Sequence, residues 1–201
     1  MSRSQALQNF LDAAFPAFDE AVRDPASRAS IRAIFAHLEV PGPQRQGGGR
    51  RLPVCEAHLD GILSAQTGKP ALDTLLGRFR ALEPALEWKT RTASGNSASE
   101  NFPAGHANAM IAGPGALEER RDVWLGVSLL APNVRYPDHD HPPEETYLVM
   151  TPGEFMHGDS GWFTPGVGGS FFNTPGIRHA MRAGDTPLFA FWALLPERAK
   201  D

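Results

Sequence analysis

Cysteine is almost missing from this chain. Cys55 stands alone among 201 residues, so no disulfide can form within the chain and the fold cannot lean on an oxidising compartment. A single thiol of this kind is expected to be a small core residue rather than a nucleophile. Long hydrophobic runs are missing too, and nothing approaches the roughly 18 apolar residues that a membrane helix needs. No basic face is visible. Nineteen Lys and Arg against 23 Asp and Glu give a formal net charge of -4, and the adjacent Arg120 and Arg121 are flanked by Glu118, Glu119 and Asp122. That balance excludes the electrostatic footprint of a nucleic-acid binder. The opening residues, MSRSQALQNFLDAAF, put Gln, Asn and Asp where a secretory signal needs an uninterrupted apolar stretch. These absences leave a soluble, cytoplasmic protein with no nucleic-acid or membrane partner as the expectation.

What is present divides into two textures. Over residues 1–92 the apolar residues recur at helical spacing. Leu7, Phe10, Leu11, Ala14, Phe18 and Val22 form one stripe, interrupted by Pro16, where a kink or two short helices are expected. Asp24-Pro25 reads as a helix start, because Asp can accept from free backbone N–H groups and Pro suits the first turn. Ile31, Ile34, Phe35 and Leu38 continue as a second stripe, and PGPQRQGGG over 41–49 reads as a loop. Two or three further helices are expected between Pro53 and Trp88. From about residue 93 the chain changes. SGNSASENFPAG reads as a linker or long loop, and short apolar runs punctuated by Gly and Pro follow. Val123–Leu130, Thr146–Met150, Ser170–Phe172 and Leu188–Leu195 read as strands. The expected architecture is α+β, with a helical N-terminal region (1–92) packed on a C-terminal β-barrel (93–201).

The segment Tyr136-Pro-Asp-His-Asp-His-Pro-Pro-Glu-Glu-Thr-Tyr147 carries the chemistry. His139 and His141 are two apart, so on extended backbone their side chains share a face. Glu145 begins the next strand-like run and can return to the same point across the bend. His179 follows the turn Asn173-Thr174-Pro175-Gly176. Three imidazoles and a carboxylate suit one divalent first-row metal, with room left for water or substrate. Asp138, Asp140 and Glu144 are expected to face solvent or to support the ligands. His157, in a Gly-rich stretch, is expected at the surface, and His37, His58 and His106 away from the motif.

These residues resemble the two short motifs of the cupin superfamily. His139, His141 and Glu145 match the first; Gly168, Gly176 and His179 match the second. Asn133 stands where the first motif opens with Gly, and Gly153 lies one residue past the place of its closing Gly. Thr174 and Ala183 replace a Pro and an Asn of the second motif. Within the cupins the chain is similar to the dimethylsulfoniopropionate lyases of the Q type, in its size, its helical first half and the placing of Tyr136 and Tyr147 around the metal motif.

That resemblance implies a carbon–sulfur lyase acting on a small sulfonium carboxylate by β-elimination. Its implied cofactor is one divalent transition metal, iron, manganese or zinc. Tyr147 is the implied base, since a nearby cation favours tyrosinate, and Tyr136 the implied substrate contact or alternative base. One or two of Trp124, Trp162, Phe163, Phe171 and Trp192 are expected to line the pocket and face the sulfonium. An iron oxygenase, an isomerase and a non-catalytic ligand-binding cupin would use the same donor set and stay open at this level. The N-terminal helices have two open roles, capping one end of the barrel or building a homodimer interface.

Overall fold

The computed structural model describes residues 3–92 and 97–196. Positions 93–96 fall outside them; they include residue 93, where the barrel region is expected to begin, and the first part of the expected linker. Helix α1 (Gln5–Ala21) starts at Ser4. It runs as one continuous element through Pro16, so of the two expected outcomes, a kink or two short helices, the second is excluded. Pro16 is exposed, so the Asp12 carbonyl it leaves without a helical partner can be hydrated. Helix α2 (Pro25–Leu38) begins as expected, with the Asp24 carboxylate accepting from the backbone N–H of Ala26 and Ser27 at 2.8 and 3.0 Å. Helices α3 (Pro53–Ser64) and α4 (Pro70–Leu82) complete the helical layer, each with Pro in its first turn.

The first strand lies upstream of residue 93. Strand β1 (Trp88–Lys89) pairs antiparallel with β2 (His106–Gly113), reached through a short helix at Phe102–Gly105. Strand β3 (Glu118–Glu119) pairs with β2 in parallel. Beyond it come β4 (Trp124–Leu130), β5 (Glu144–Val149), β6 (Glu154–His157), β7 (Ser170–Asn173), β8 (His179–Arg182) and β9 (Leu188–Leu195). One sheet runs β1-β2-β4-β9-β5-β7, and β6 pairs with β8 in a second. A bridge between His139 and His179 joins the segment before β5 to β8 and draws the two sheets into a barrel.

The large sheet has two faces with different tasks. Its outer face (Leu125, Val127, Leu129, Phe189, Phe191) merges with the helices into one core. Phe79 of α4 lies at its centre, fully buried, with ring centroids 5.9 Å from Phe10, 5.7 Å from Phe189 and 5.1 Å from Phe191. Burial of one such ring contributes about 1.5–3 kcal/mol. This covering explains why β9, LFAFWALL, is apolar almost throughout instead of alternating with polar residues. A hydroxyl pair pins the layers together: Ser27 of α2 and Thr146 of β5 meet at 3.0 Å. The inner face is left to line a cavity.

Candidate metal centre and active site

Strand alternation sets what the cavity sees. Residues two apart project to one face, and register places the inward residues of neighbouring strands side by side. Asn108 stands opposite Ser128, and Met110 opposite Gly126. Gly126 is followed across the sheet by Trp192 and then Tyr147, while Trp124 is followed by Leu194 and Glu145. These residues enclose a cavity of about 260 Å³, with Arg91, Tyr136, His139, His141 and Met181 completing its wall. Gly126 is required there, because a Cβ at that position would overlap the indole of Trp192.

The four expected metal ligands converge at one end of this cavity. His139 and His179 exchange both backbone hydrogen bonds, His139 N–H to His179 O at 3.0 Å and the reverse at 2.8 Å. Directly opposed residues share a face, so their imidazoles meet, with ring centroids 4.0 Å apart. His141 joins from the bend, where its carbonyl accepts from the N–H of Gly176 at 2.9 Å. Gly176 has φ 70°, a left-handed turn that lets the chain double back just before His179. Asn133, standing in place of a motif glycine, has φ 60°, a conformation Asn tolerates better than most residues.

Tautomer and orientation are fixed by the backbone. The Nδ1–H groups of His139, His141 and His179 donate to the carbonyls of Pro137, Pro143 and Ile177, each at 2.9 Å. Each Nε2 is therefore left as a bare lone pair, as a metal ligand requires. One donor nitrogen from each of the three histidines lies within 4.8 Å of the other two. The Glu145 carboxylate joins them, with Oε2 3.4 Å from His141 Nε2 and 3.2 Å from His179 Nε2. Nε2 of His179 is buried and has no hydrogen-bond partner, although Glu145 Oε2 is so close. Two acceptors facing each other in a buried site are repulsive unless a cation lies between them, so the donor set fits a divalent metal.

The charge states of His139 and Glu145 agree with that fit. Burial and the neighbouring His179 push His139 down to about 3, so it is neutral. Burial works against the charge of Glu145, but the neighbouring His141 and His179 side chains outweigh it and hold the carboxyl at about 2. Burial also disfavours the charged form of His141, and Glu145 overcomes this and raises it.

Both tyrosines expected at the site reach it and both are buried. Tyr147 is stacked on Phe171, with centroids 4.9 Å apart, and its ring centroid is 6.4 Å from that of His179. Burial and the adjacent Glu145 carboxylate raise its hydroxyl well above the usual phenol range. Tyr136 lies against His139, with centroids 5.0 Å apart, and accepts a hydrogen bond from Asn108 Nδ2 at 3.2 Å. Burial raises it as well, and Arg91, whose guanidinium carbon is 6.0 Å from its ring centroid, opposes the rise.

Among the residues that sequence reasoning missed, two lie directly behind the metal ligands. His157 is not a surface residue in a loop; it lies on β6 opposite His179 and is half-buried. Its Nδ1 bonds Asn173 Oδ1 at 2.9 Å, and Asn173, fully buried opposite Glu145 on β7, donates to Glu145 Oε2 at 3.1 Å. The run Ser170–Asn173 carried a signal for this, since Asn173 directly follows two phenylalanines where the turn begins. Of the aromatic candidates, Trp124 and Trp192 line the cavity. Phe163 and Phe171 pack behind it around His157. Trp162 lies apart, with the guanidinium carbons of Arg182 and Arg135 4.3 and 5.4 Å from its ring. Asp138 pairs with Arg135 at 2.7 Å, and Asp140 is exposed. His37 pairs with Asp122 on the far side of the sheet, whereas buried His106 accepts from the Arg91 N–H at 2.8 Å and so fixes the strand end that brings Arg91 to the cavity.

A family model for dimethylsulfoniopropionate (DMSP) lyases matches residues 26–190. One of the crystal structures of the DMSP lyases RdDddP and RnDddQII is 21% identical over 98% of this chain and 95% of that chain, with a TM-score of 0.71. The DMSP lyase DddQ from Ruegeria pomeroyi DSS-3 is 23% identical over 99% of this chain and 95% of that chain, with a TM-score of 0.69. Curated protein sequences give no match. Among the described residues no helix is long and apolar enough to cross a membrane.

Proposed function

This chain belongs to the dimethylsulfoniopropionate lyase family, a family of carbon–sulfur lyases, and from that premise we propose that it converts dimethylsulfoniopropionate to dimethyl sulfide and acrylate by metal-dependent β-elimination. The observation that carries the reading is the convergence of His139, His141, Glu145 and His179, one of them with an orphaned buried Nε2, beside two tyrosines in one cavity. These four residues would hold one divalent transition metal, iron, manganese or zinc, whose identity availability decides. When bound, it would withdraw charge from the substrate carboxylate and offset the negative charge of Glu145 beside Tyr147.

The chain's own residues do the rest. A tyrosine oxygen, that of Tyr147 with Tyr136 as the second hydroxyl in reach, takes the proton from the carbon beside the carboxylate. The C–H electron pair becomes the new C=C bond. The C–S pair leaves with sulfur as neutral dimethyl sulfide, so no acid is needed. The sulfonium end has no hydrogen-bond donors and suits the faces of Trp192 and Trp124 and the apolar Met110 and Met181.

Headspace detection of dimethyl sulfide tests the reading directly. Metal-loaded protein is expected to release it, and chelated protein is not. Tyr147→Phe is expected to retain its metal and lose about 10²–10⁴-fold in rate, the usual contribution of a positioned base. Silence from fully loaded protein, across several divalent metals, would discard the lyase reading, and oxygen uptake on turnover would replace it with an oxygenase.

A second expectation concerns Asn173. Its amide holds the very oxygen of Glu145 that faces the histidines. Asn173→Ala is expected to weaken metal binding by about 10–100-fold in a chelator competition, the usual effect of removing such a support. An unchanged dissociation constant would show that Glu145 needs no support from Asn173.

A further inference from the structure

Three polar side chains on the inner face of the sheet form a hydrogen-bonded row that ends on Tyr136. The indole Nε1 of Trp192 donates to Ser128 Oγ at 3.0 Å. Ser128 Oγ donates to Asn108 Oδ1 at 2.6 Å. Asn108 Nδ2 donates to the Tyr136 hydroxyl at 3.2 Å. The row follows from register, because Asn108 is opposite Ser128, and Gly126, two residues before Ser128, leaves the space in which Trp192 lies across β4.

The direction of the row is set by chemistry at both ends. An indole N–H can only donate, so Ser128 accepts from it and keeps its own proton for Asn108. The 2.6 Å contact belongs to the O–H···O range and is too short for an amide N–H donor. The 3.2 Å contact fits N–H···O and is too long for O–H···O. Asn108 therefore presents its oxygen to Ser128 and its N–H₂ to Tyr136. Every proton in the row points towards the phenol oxygen, which accepts from the wall. Tyr136 lines the cavity together with Arg91, so the remaining valence of that oxygen, its own O–H or a free lone pair, is left for Arg91 or for a bound molecule.

We propose that Asn108 and Ser128 are positioning residues of the reaction, holding the Tyr136 hydroxyl as a hydrogen-bond acceptor from the wall so that its free side faces the substrate. This rests on the lyase reading for its kinetic consequence, but the orientation itself does not. Neither residue touches the four metal donors through any hydrogen bond, so metal content is the internal control.

The test has two arms. In the kinetic arm, Asn108→Ala, Asn108→Asp and Ser128→Ala are compared at equal metal content. A displaced reacting group lowers turnover rather than binding, so kcat is expected to fall about 10–100-fold with KM nearly unchanged. Asp keeps the shape of Asn and loses the donor, so it should fall with Ala. Ser128→Thr keeps the hydroxyl and should recover most of the rate. In the spectroscopic arm, the chain's two tyrosines become one in Tyr147→Phe. The tyrosine Fermi doublet in resonance Raman then reports Tyr136 alone, with the pattern of an accepting oxygen expected, and that pattern lost when Asn108→Ala is added. Wild-type kcat in both Asn108 variants overturns the proposal, whatever the doublet does. If the wild type releases no dimethyl sulfide, the lyase reading has failed and the doublet decides alone: a changed doublet supports the orientation, an unchanged one overturns it. Should Asn108→Ala not fold, Ser128→Ala takes its place in both arms.

Discussion

Alanine in place of His179 is expected to give a folded protein with little bound metal and lyase turnover reduced by about 10³-fold or more. Folding survives because β8 is held by backbone: the pairing of residue 179 with His139 uses only N–H and C=O groups, which alanine also has. The side chain is another matter. Its Nε2 is the buried lone pair with no partner, and its removal leaves His139, His141 and Glu145 as an incomplete set. A Lewis-acidic metal stabilises developing charge by several kcal/mol, and each 1.36 kcal/mol is tenfold in rate, which gives the magnitude. Elemental analysis of the purified variant, beside its rate of dimethyl sulfide release, checks both halves. Wild-type metal stoichiometry together with a rate within about tenfold of wild type would remove His179 from the donor set.

Glu118→Ala is expected to be the most destabilising single change away from the cavity, by about 3–5 kcal/mol. Glu118 is fully buried, and it accepts from Arg3 at 2.6 and 2.8 Å, from the Gly42 N–H at 3.1 Å and from Arg120 at 3.2 Å. The Arg3 side chain is 3% exposed, so truncating Glu118 strands a buried guanidinium. For a chain of this length the loss corresponds to a fall in Tm of about 6–20 °C. Arg3→Met combined with Glu118→Met should recover a large share, because the penalty is the unpaired charge rather than the lost attraction.

The same pair gives stability a pH dependence of known sign. Burial disfavours the Glu118 carboxylate, but its bonds to Arg3, Gly42 and Arg120 outweigh burial and hold it below its ordinary 4.5. A carboxyl with a depressed folded value contributes fully above the unfolded value and loses that contribution as pH falls towards the folded one. The gap in stability between wild type and Glu118→Ala should therefore narrow below about pH 4.5 in acid titrations followed by circular dichroism. A gap that stays constant into strong acid would mean that Glu118 acts by shape and not by charge.

Much of the site was legible because its signals are local. His139 and His141 share a face by strand alternation alone, and Glu145 and His179 sit where short turns return the chain. The helices of the first half announce themselves by apolar spacing and by Asp24-Pro25. Pro16 does not divide the helix because the cost of a helix proline depends on which side of the helix it faces, and its exposed side is decided by packing. Strand β2 was hidden because HANAMIAG holds small residues where apolar bulk would signal a strand, and His157 was hidden by the glycine beside it.

The four candidate metal ligands, the two tyrosines that bracket them and the α+β class can be read from the sequence alone, because each is written in spacings of a few residues. Which residues support those groups follows from the packing of the whole barrel. Asn173 reaches Glu145, His157 reaches Asn173, and Trp192, Ser128 and Asn108 converge on Tyr136 through pairing between strands far apart in the chain. Hydrogen-bond direction at a buried phenol depends on what stands opposite it across a sheet, and register of that kind is fixed by the packed barrel, not by any stretch of sequence read alone.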